Sequence, residues 1–134
     1  MNIVVNLNKP RGMTSFEAVA AVKRRFKVRK AGHAGTLDPL ATGVLVVCLN
    51  EATKIAGLLS HFEKEYVFTA RLGEATDTYD AEGSVVRRVE DVSVTTDEIR
   101  NLLERFTGEI EQVPPMYSAI KREGRPLYEL ARKG

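Results

Sequence analysis

Six consecutive apolar residues, Val44 to Leu49, constrain this chain more than any other feature. A strand with one wet face alternates apolar and polar residues, so an unbroken run rich in valine reads as a strand buried on both faces. The run is far too short to cross a bilayer. Such a strand has to be covered from both sides, and the rest of the chain supplies covering elements. Hydrophobic residues make up 43% of the 134, enough for a core, and charged residues make up 28%. That balance excludes a disordered chain and fits one domain.

Upstream, Ile3 to Leu7 reads as a short strand, and Lys9-Pro10-Arg11-Gly12 as a turn, since proline fixes one dihedral and glycine frees another. Thr14 stands three residues before Glu17, a capping box, and Val19, Val22 and Phe26 follow at helical spacing, which predicts a helix over Ser15–Phe26. Ala31 to Gly43, AGHAGTLDPLATG, has three glycines, a proline and almost no periodicity, and is expected to be a loop. Downstream, Ile55, Leu58, Leu59 and Phe62 predict a helix over 51–62, and alternation from Tyr66 to Leu72 predicts a strand. Thr95 and Glu98 form a second capping box, with Ile99, Leu102, Leu103 and Phe106 on the helix it opens and Gly108 ending it. Strands over 109–113 and 117–121 and a helix over 125–133 complete an α+β or α/β order. The ending Arg132-Lys133-Gly134, with no final strand, reads as a cut.

The net charge of +2 conceals an asymmetry: residues 1–60 carry +6, residues 61–113 carry −7 and residues 114–134 carry +3. Lys23, Arg24, Arg25, Lys27, Arg29 and Lys30 place six positive charges in eight residues. Such a cluster suits phosphate contacts, which give affinity and position without reading sequence. The plain alternative is a solvated helix end. The single Cys48, inside the apolar run, reads as a buried structural thiol in a reducing, cytoplasmic setting. The N-terminal MNIVVNLNKP has none of the parts of a signal peptide. His33 and His61 are the only histidines and no cysteine cluster accompanies them, so no metal site is expected. Asp77, Asp80 and Glu82 before Gly83 do not have the spacing of a calcium loop.

Chemistry concentrates in the loop after Ala31. It holds one carboxylate, Asp38, followed by Pro39 and surrounded by small residues that permit close approach of a ligand. Two readings stay open on the residues alone: a nucleophile or base held rigidly, or an ordinary turn with a side-chain hydrogen bond.

At this loop the chain is identifiable by resemblance. GHAGTLDPLATGVL, Gly32 to Leu45, closely resembles the signature of TruB-type pseudouridine synthases. NKPRGMTSFEAV resembles the family's N-terminal motif, EKEYVFTARLGEATDTYDAEG its next block, and PPMYSAIKREGRPLYELARKG its insertion that grips the tRNA arm. The blocks stand in the family's order and cover essentially the whole chain. The resemblance implies the pseudouridine synthase fold, a mixed β-sheet flanked by helices, of which residues 1–134 would be the N-terminal part of the catalytic domain. Residues 117–134 would be the RNA-gripping insertion, with the rest of the catalytic domain and a C-terminal RNA-binding domain lying beyond. It implies isomerisation of the uridine at position 55 in the tRNA T-loop to pseudouridine, with no cofactor.

By the same resemblance Asp38 is the catalytic residue, His33 fills the gap left by the flipped base and Tyr66 stacks on the uracil. Asp80 would pair with an active-site arginine supplied by later sequence. Lys9 and Pro10 would support the active loop together with Gly32, Gly35, Thr36 and Leu37. The RNA backbone would meet the Lys23–Lys30 cluster and Lys121, Arg122 and Arg125. The resemblance implies the T-arm of tRNA as partner, with no membrane, no guide RNA and a monomeric complete enzyme. Two rivals are the box H/ACA branch, directed by a guide RNA, and an RNA-binding module without catalysis.

Overall fold

The computed structural model describes residues 1–113 together with the main chain of residues 121–122 and 125–126. It divides into two units, Met1–Tyr66 and Val67–Gly134.

The first unit is built on three antiparallel strands: β1 (Val4–Lys9), β2 (Ala31–His33) and β3 (Gly43–Leu49), in the order β1-β3-β2. The apolar run is therefore the central strand, as a run of its kind requires. Val5 pairs with Val47 on one side of β3, and Gly32 pairs with Cys48 on the other. Helix α1 (Ser15–Phe26) has the predicted bounds. Thr14 is its N-cap: its side chain accepts from the Glu17 amide, and the Glu17 carboxylate accepts in return from the Thr14 amide at 2.8 Å. Lys27, in the left-handed conformation, closes it.

The helix meets the sheet through one stripe. Ala18, Val19 and Val22 cluster with Leu45, Val47 and Leu49, three residues that share one face of β3 because strand side chains alternate. Cys48, on the opposite face, is also fully buried. The expectation of burial on both faces thus holds at the C-terminal end of β3 and fails at its start, where Val44 is 66% exposed.

Two further expectations change in this unit. The stretch from Ala31 was expected to be loop throughout, yet Ala31–His33 is β2, and Ala34 extends the ladder by donating to the Val46 carbonyl at 2.9 Å. Ala31 and Gly32 carry little strand propensity, and pairing with β3 makes them extended. The expected helix over 51–62 is a 3-10 segment, Asn50–Ile55, followed by a single turn, α2 (Ala56–Leu59). Gly57 is a poor helix former in the middle of that stretch.

In the second unit, β4 (Glu74–Thr76) and β5 (Val85–Arg88) form an antiparallel hairpin, with Glu74 bridging Arg88 at 2.9 Å and Arg71 at 3.2 Å. Helix α3 (Thr96–Leu103) opens with the predicted capping box, Thr95 with Glu98, and runs into a 3-10 turn, Glu104–Phe106. Gly108 follows with φ of 83°.

The strand expected over 66–72 is irregular chain, because an alternating pattern becomes a strand only where another strand pairs with it, and none does among the described residues. The same holds for 109–113. The expected helix over 125–133 is replaced at its start by β7 (Arg125–Pro126), which pairs with β6 (Lys121–Arg122). The remainder of that helix, and the strand expected over 117–120, lie outside the described residues. Among the described residues every buried side chain belongs to the first unit.

Candidate active site

The loop from Ala34 to Thr42 joins β2 to β3, and Asp38 stands midway along it with its side chain exposed. Pro39 sits at the second position of a turn closed by the Ala41 amide donating to the Asp38 carbonyl at 3.0 Å. Proline favours that position because its fixed φ matches the turn. Gly35, with φ of 104°, takes a conformation that side-chain-bearing residues rarely adopt.

The loop is held from outside by the segment that starts α1. The Ser15 hydroxyl donates to the Leu37 carbonyl and accepts from the Leu37 amide, both at 2.9 Å. The Gly12 amide donates to the Pro39 carbonyl at 2.7 Å. The turn bearing Gly12 is itself fixed from beneath. Lys9 is wholly buried, and its ammonium donates to the Pro10 carbonyl at 3.0 Å and the Met13 carbonyl at 2.7 Å. Leu37 packs against the core cluster. Asp38 therefore has an exposed carboxylate, bonded by no side chain among the described residues, on a main chain restrained at the residues before and after it.

His33 is the last residue of β2, and its Nδ1 bonds the Gly35 carbonyl. That bond turns the imidazole toward the start of the loop. Tyr66 is 63% exposed at the end of the first unit. Among the described residues no hydrogen bond links the side chains of Asp38, His33 and Tyr66. Lys64 was not singled out from the sequence, yet it lies beside the loop: a β-carbon added at Gly35 would stand 3.9 Å from Lys64 Cε. Its ammonium donates to the Ser60 carbonyl at 2.7 Å and the Phe62 carbonyl at 3.0 Å. Of the other supporting residues, Gly32 is fixed by pairing with Cys48, while Pro10 and Thr36 are exposed.

The six cations of Lys23–Lys30 are all exposed around the C-terminal end of α1. Lys27, Arg29 and Lys30 line an open groove of about 540 Å³ with Phe26, Asn50 and Asn2. Basic residues there also complement the negative end of the helix dipole. Of Lys121, Arg122 and Arg125 the main chain alone is described, in β6 and β7.

In the second unit Asp80 is bound into its own turn. The Thr78 hydroxyl donates to its carboxylate at 2.6 Å and the Glu82 amide at 2.9 Å. The Thr78 hydroxyl first, then the Glu82 and Gly83 amides, hold the Asp80 carboxyl below the usual carboxylate range. Asp77 likewise accepts from the Ser84 amide at 2.8 Å. Gly83 passes so close to Thr78 and Asp77 that a β-carbon has no room.

Residues 23–134 match the description of the TruB family pseudouridylate synthase N-terminal domain. The chain belongs to the TruB family. It is 54% identical over its whole length to tRNA pseudouridine synthase B of Clostridium perfringens (strain 13 / Type A), covering 46% of that protein. It is 56% identical over 128 residues to the tRNA pseudouridine synthase B of Haemophilus influenzae (strain PittEE), covering 96% of this chain and 42% of that one. The chain thus spans less than half the length of these relatives. Its fold is shared with a chain in the crystal structure of a Cbf5-Nop10-Gar1 complex, at 33% identity and a TM-score of 0.59, over 90% of this chain and 31% of the other. The chain therefore holds part of the α+β pseudouridine synthase fold.

Within this TruB-family chain the residue that sequence reasoning passed over is Ser15. The signal was available: Ser15, Ala18, Val19 and Val22 lie on one helical stripe, and all four are buried. A hydroxyl on a core stripe needs partners, and Leu37 supplies both. Among the described residues no cluster of three or more histidine, cysteine, aspartate or glutamate side chains could hold a metal ion, and no helix is long and apolar enough to cross a membrane.

Proposed function

We propose that Asp38 is the catalytic carboxylate of a tRNA pseudouridine synthase that isomerises the uridine at position 55 of the T-loop. The observation that carries this reading is the geometry of residue 38: an exposed carboxylate on a main chain pinned at Leu37 and at Pro39. The names of the relatives support tRNA as the substrate.

The reaction breaks the glycosidic bond from nitrogen to the ribose, turns the uracil and rejoins it to the same ribose carbon through a ring carbon, whose proton is released as the ring nitrogen gains one. Atoms and electrons balance within the nucleotide. A glycosidic bond inside a folded arm is out of reach, so the nucleotide has to be flipped out. His33 would stack where the base left, and Tyr66 would stack on the uracil. Exposed cations at Lys23–Lys30, with Lys121, Arg122 and Arg125, would hold phosphates, and residues 117–134 would grip the arm. Asp80, engaged by Thr78 and Glu82, keeps an ionised carboxylate that an arginine from later sequence can meet. The reading includes action in the cytoplasm, as a monomer and without guide RNA.

The test uses the full-length protein and a T-arm transcript with no other RNA present, following release of tritium from the uracil carbon that forms the new bond. Asp38→Asn should lower turnover by at least about 100-fold, the scale on which removal of a reacting group acts, while RNA binding persists. Turnover above a few per cent of wild type would remove Asp38 from the role. Absence of pseudouridine with the wild-type protein alone would point to a guide-dependent or non-catalytic protein.

A further inference from the structure

We propose that Ser15 is a positioning residue for Asp38, acting through the main chain of the loop, an inference that rests on Asp38 being the reacting carboxylate. Ser15 is 4% exposed, and its hydroxyl is fully used on one residue, donating to the Leu37 carbonyl and accepting from the Leu37 amide at 2.9 Å each. On the other side of Asp38 the Gly12 amide holds the Pro39 carbonyl at 2.7 Å. Both anchors come from residues 12–15, which lie between Lys9 and the body of α1. Lys9 fixes one end of that segment, through the Pro10 and Met13 carbonyls, and the Thr14 capping box fixes the other. The carboxylate is left free to meet a substrate, and the backbone carrying it is tied to the buried helix stripe.

Chemistry at a sugar or a base demands that the reacting carboxylate arrive within a fraction of an ångström of its target. A misplacement of about 1 Å costs on the order of 100-fold in rate. The loop has no regular secondary structure between β2 and β3 to supply that precision, and Ser15 bonds the residue immediately before Asp38. Removing its hydroxyl leaves the Leu37 amide and carbonyl without their partner and lets the loop drift, while α1 and β3 remain packed through Ala18, Val19, Val22, Leu45, Val47 and Leu49.

The experiment compares the wild-type full-length protein with Ser15→Ala and Ser15→Thr in three measurements: residue-resolved amide exchange, dissociation constant for a T-arm RNA, and turnover. In the wild type the Leu37 amide should be protected although it bonds no carbonyl. Ser15→Ala should lose that protection and keep it across the amides of β3, bind RNA as the wild type does, and lose about 10- to 100-fold in kcat. Ser15→Thr, which keeps the hydroxyl, should recover most of the loss. A Leu37 amide that exchanges freely in the wild type overturns the proposal without any variant. So does a kcat within about twofold of wild type in Ser15→Ala, or a loss of protection spread over β3, which would make Ser15 a residue of the fold alone. An active Asp38→Asn would instead sink the catalytic reading, and the Leu37 exchange would still report whether the restraint exists.

Discussion

Helices α1 and α3 are both entered through a threonine capping box, Thr14 with Glu17 and Thr95 with Glu98, with matching extended N-cap conformations. Beyond the first turn they diverge. α1 buries Ser15, Ala18, Val19 and Val22 against β3, whereas α3 buries nothing among the described residues, and Leu103 on its apolar face is 53% exposed. The difference separates two causes that a helix usually combines. A cap is local chemistry and starts a helix wherever the right residues fall. Burial is supplied by another element, and an eight-residue helix without it is marginal.

The strongest way to break this comparison is to remove side chains from the two regions. Leu49→Ala, at a wholly buried site, should destabilise the protein by about 2–5 kcal/mol in urea unfolding. Leu103→Ala should cost within about 0.5 kcal/mol. Comparable costs would show that the second unit has a core in solution.

Removing the caps sharpens the comparison at a smaller scale. Thr14→Ala and Thr95→Ala should each cost their helix about 1 kcal/mol. The first should lower the urea midpoint of the whole first unit. The second should appear only as faster amide exchange within α3. A midpoint unmoved by Thr14→Ala would uncouple α1 from the stability of β3.

The smallest effect is electrostatic and should be alike in both helices. The Thr14 amide and hydroxyl hold the Glu17 carboxyl below its ordinary value of 4.5, and the Thr95 amide and hydroxyl do the same for Glu98. A depressed folded pKa contributes stability that is present above the unfolded value and lost as pH falls through the folded one. Titration followed by carbon-13 shifts should therefore place both midpoints below 4.5, with each threonine-to-alanine change, which removes the hydroxyl and leaves the amide, raising its own glutamate part of the way back. A normal midpoint for Glu98 alone would mean that α3 is not capped in solution.

The same division explains what could be read from the sequence. The bounds of α1 were legible because Thr14 and Glu17 are three residues apart and the apolar stripe follows at once. β3 was legible because its run is continuous. β2 was not, since Ala31, Gly32 and His33 become extended by pairing with Leu49, Cys48 and Val47 across the hairpin. The alternation from Tyr66 to Leu72 is real in the sequence and yields no strand here, because a ladder needs a second strand. The small neighbours of Asp38 marked the loop but left it open between a reacting carboxylate and an ordinary turn, and the family motif pointed to Asp38 and His33. Ser15 could be read as a hydroxyl on the buried stripe of α1, but its partner could not, because Leu37 is 22 positions away.

Cys48 lies at zero exposure between β1 and β2, and burial pushes its thiol pKa up, so thiolate is scarce at neutral pH. The single thiol of these 134 residues is thus sealed against alkylating dyes for as long as the sheet stays closed. A second cysteine placed on the exposed loop near Asp38 can be labelled under native conditions without first replacing Cys48. These 134 residues hold no tryptophan to report their motions, and the central strand is a silent background for a fluorophore on the loop.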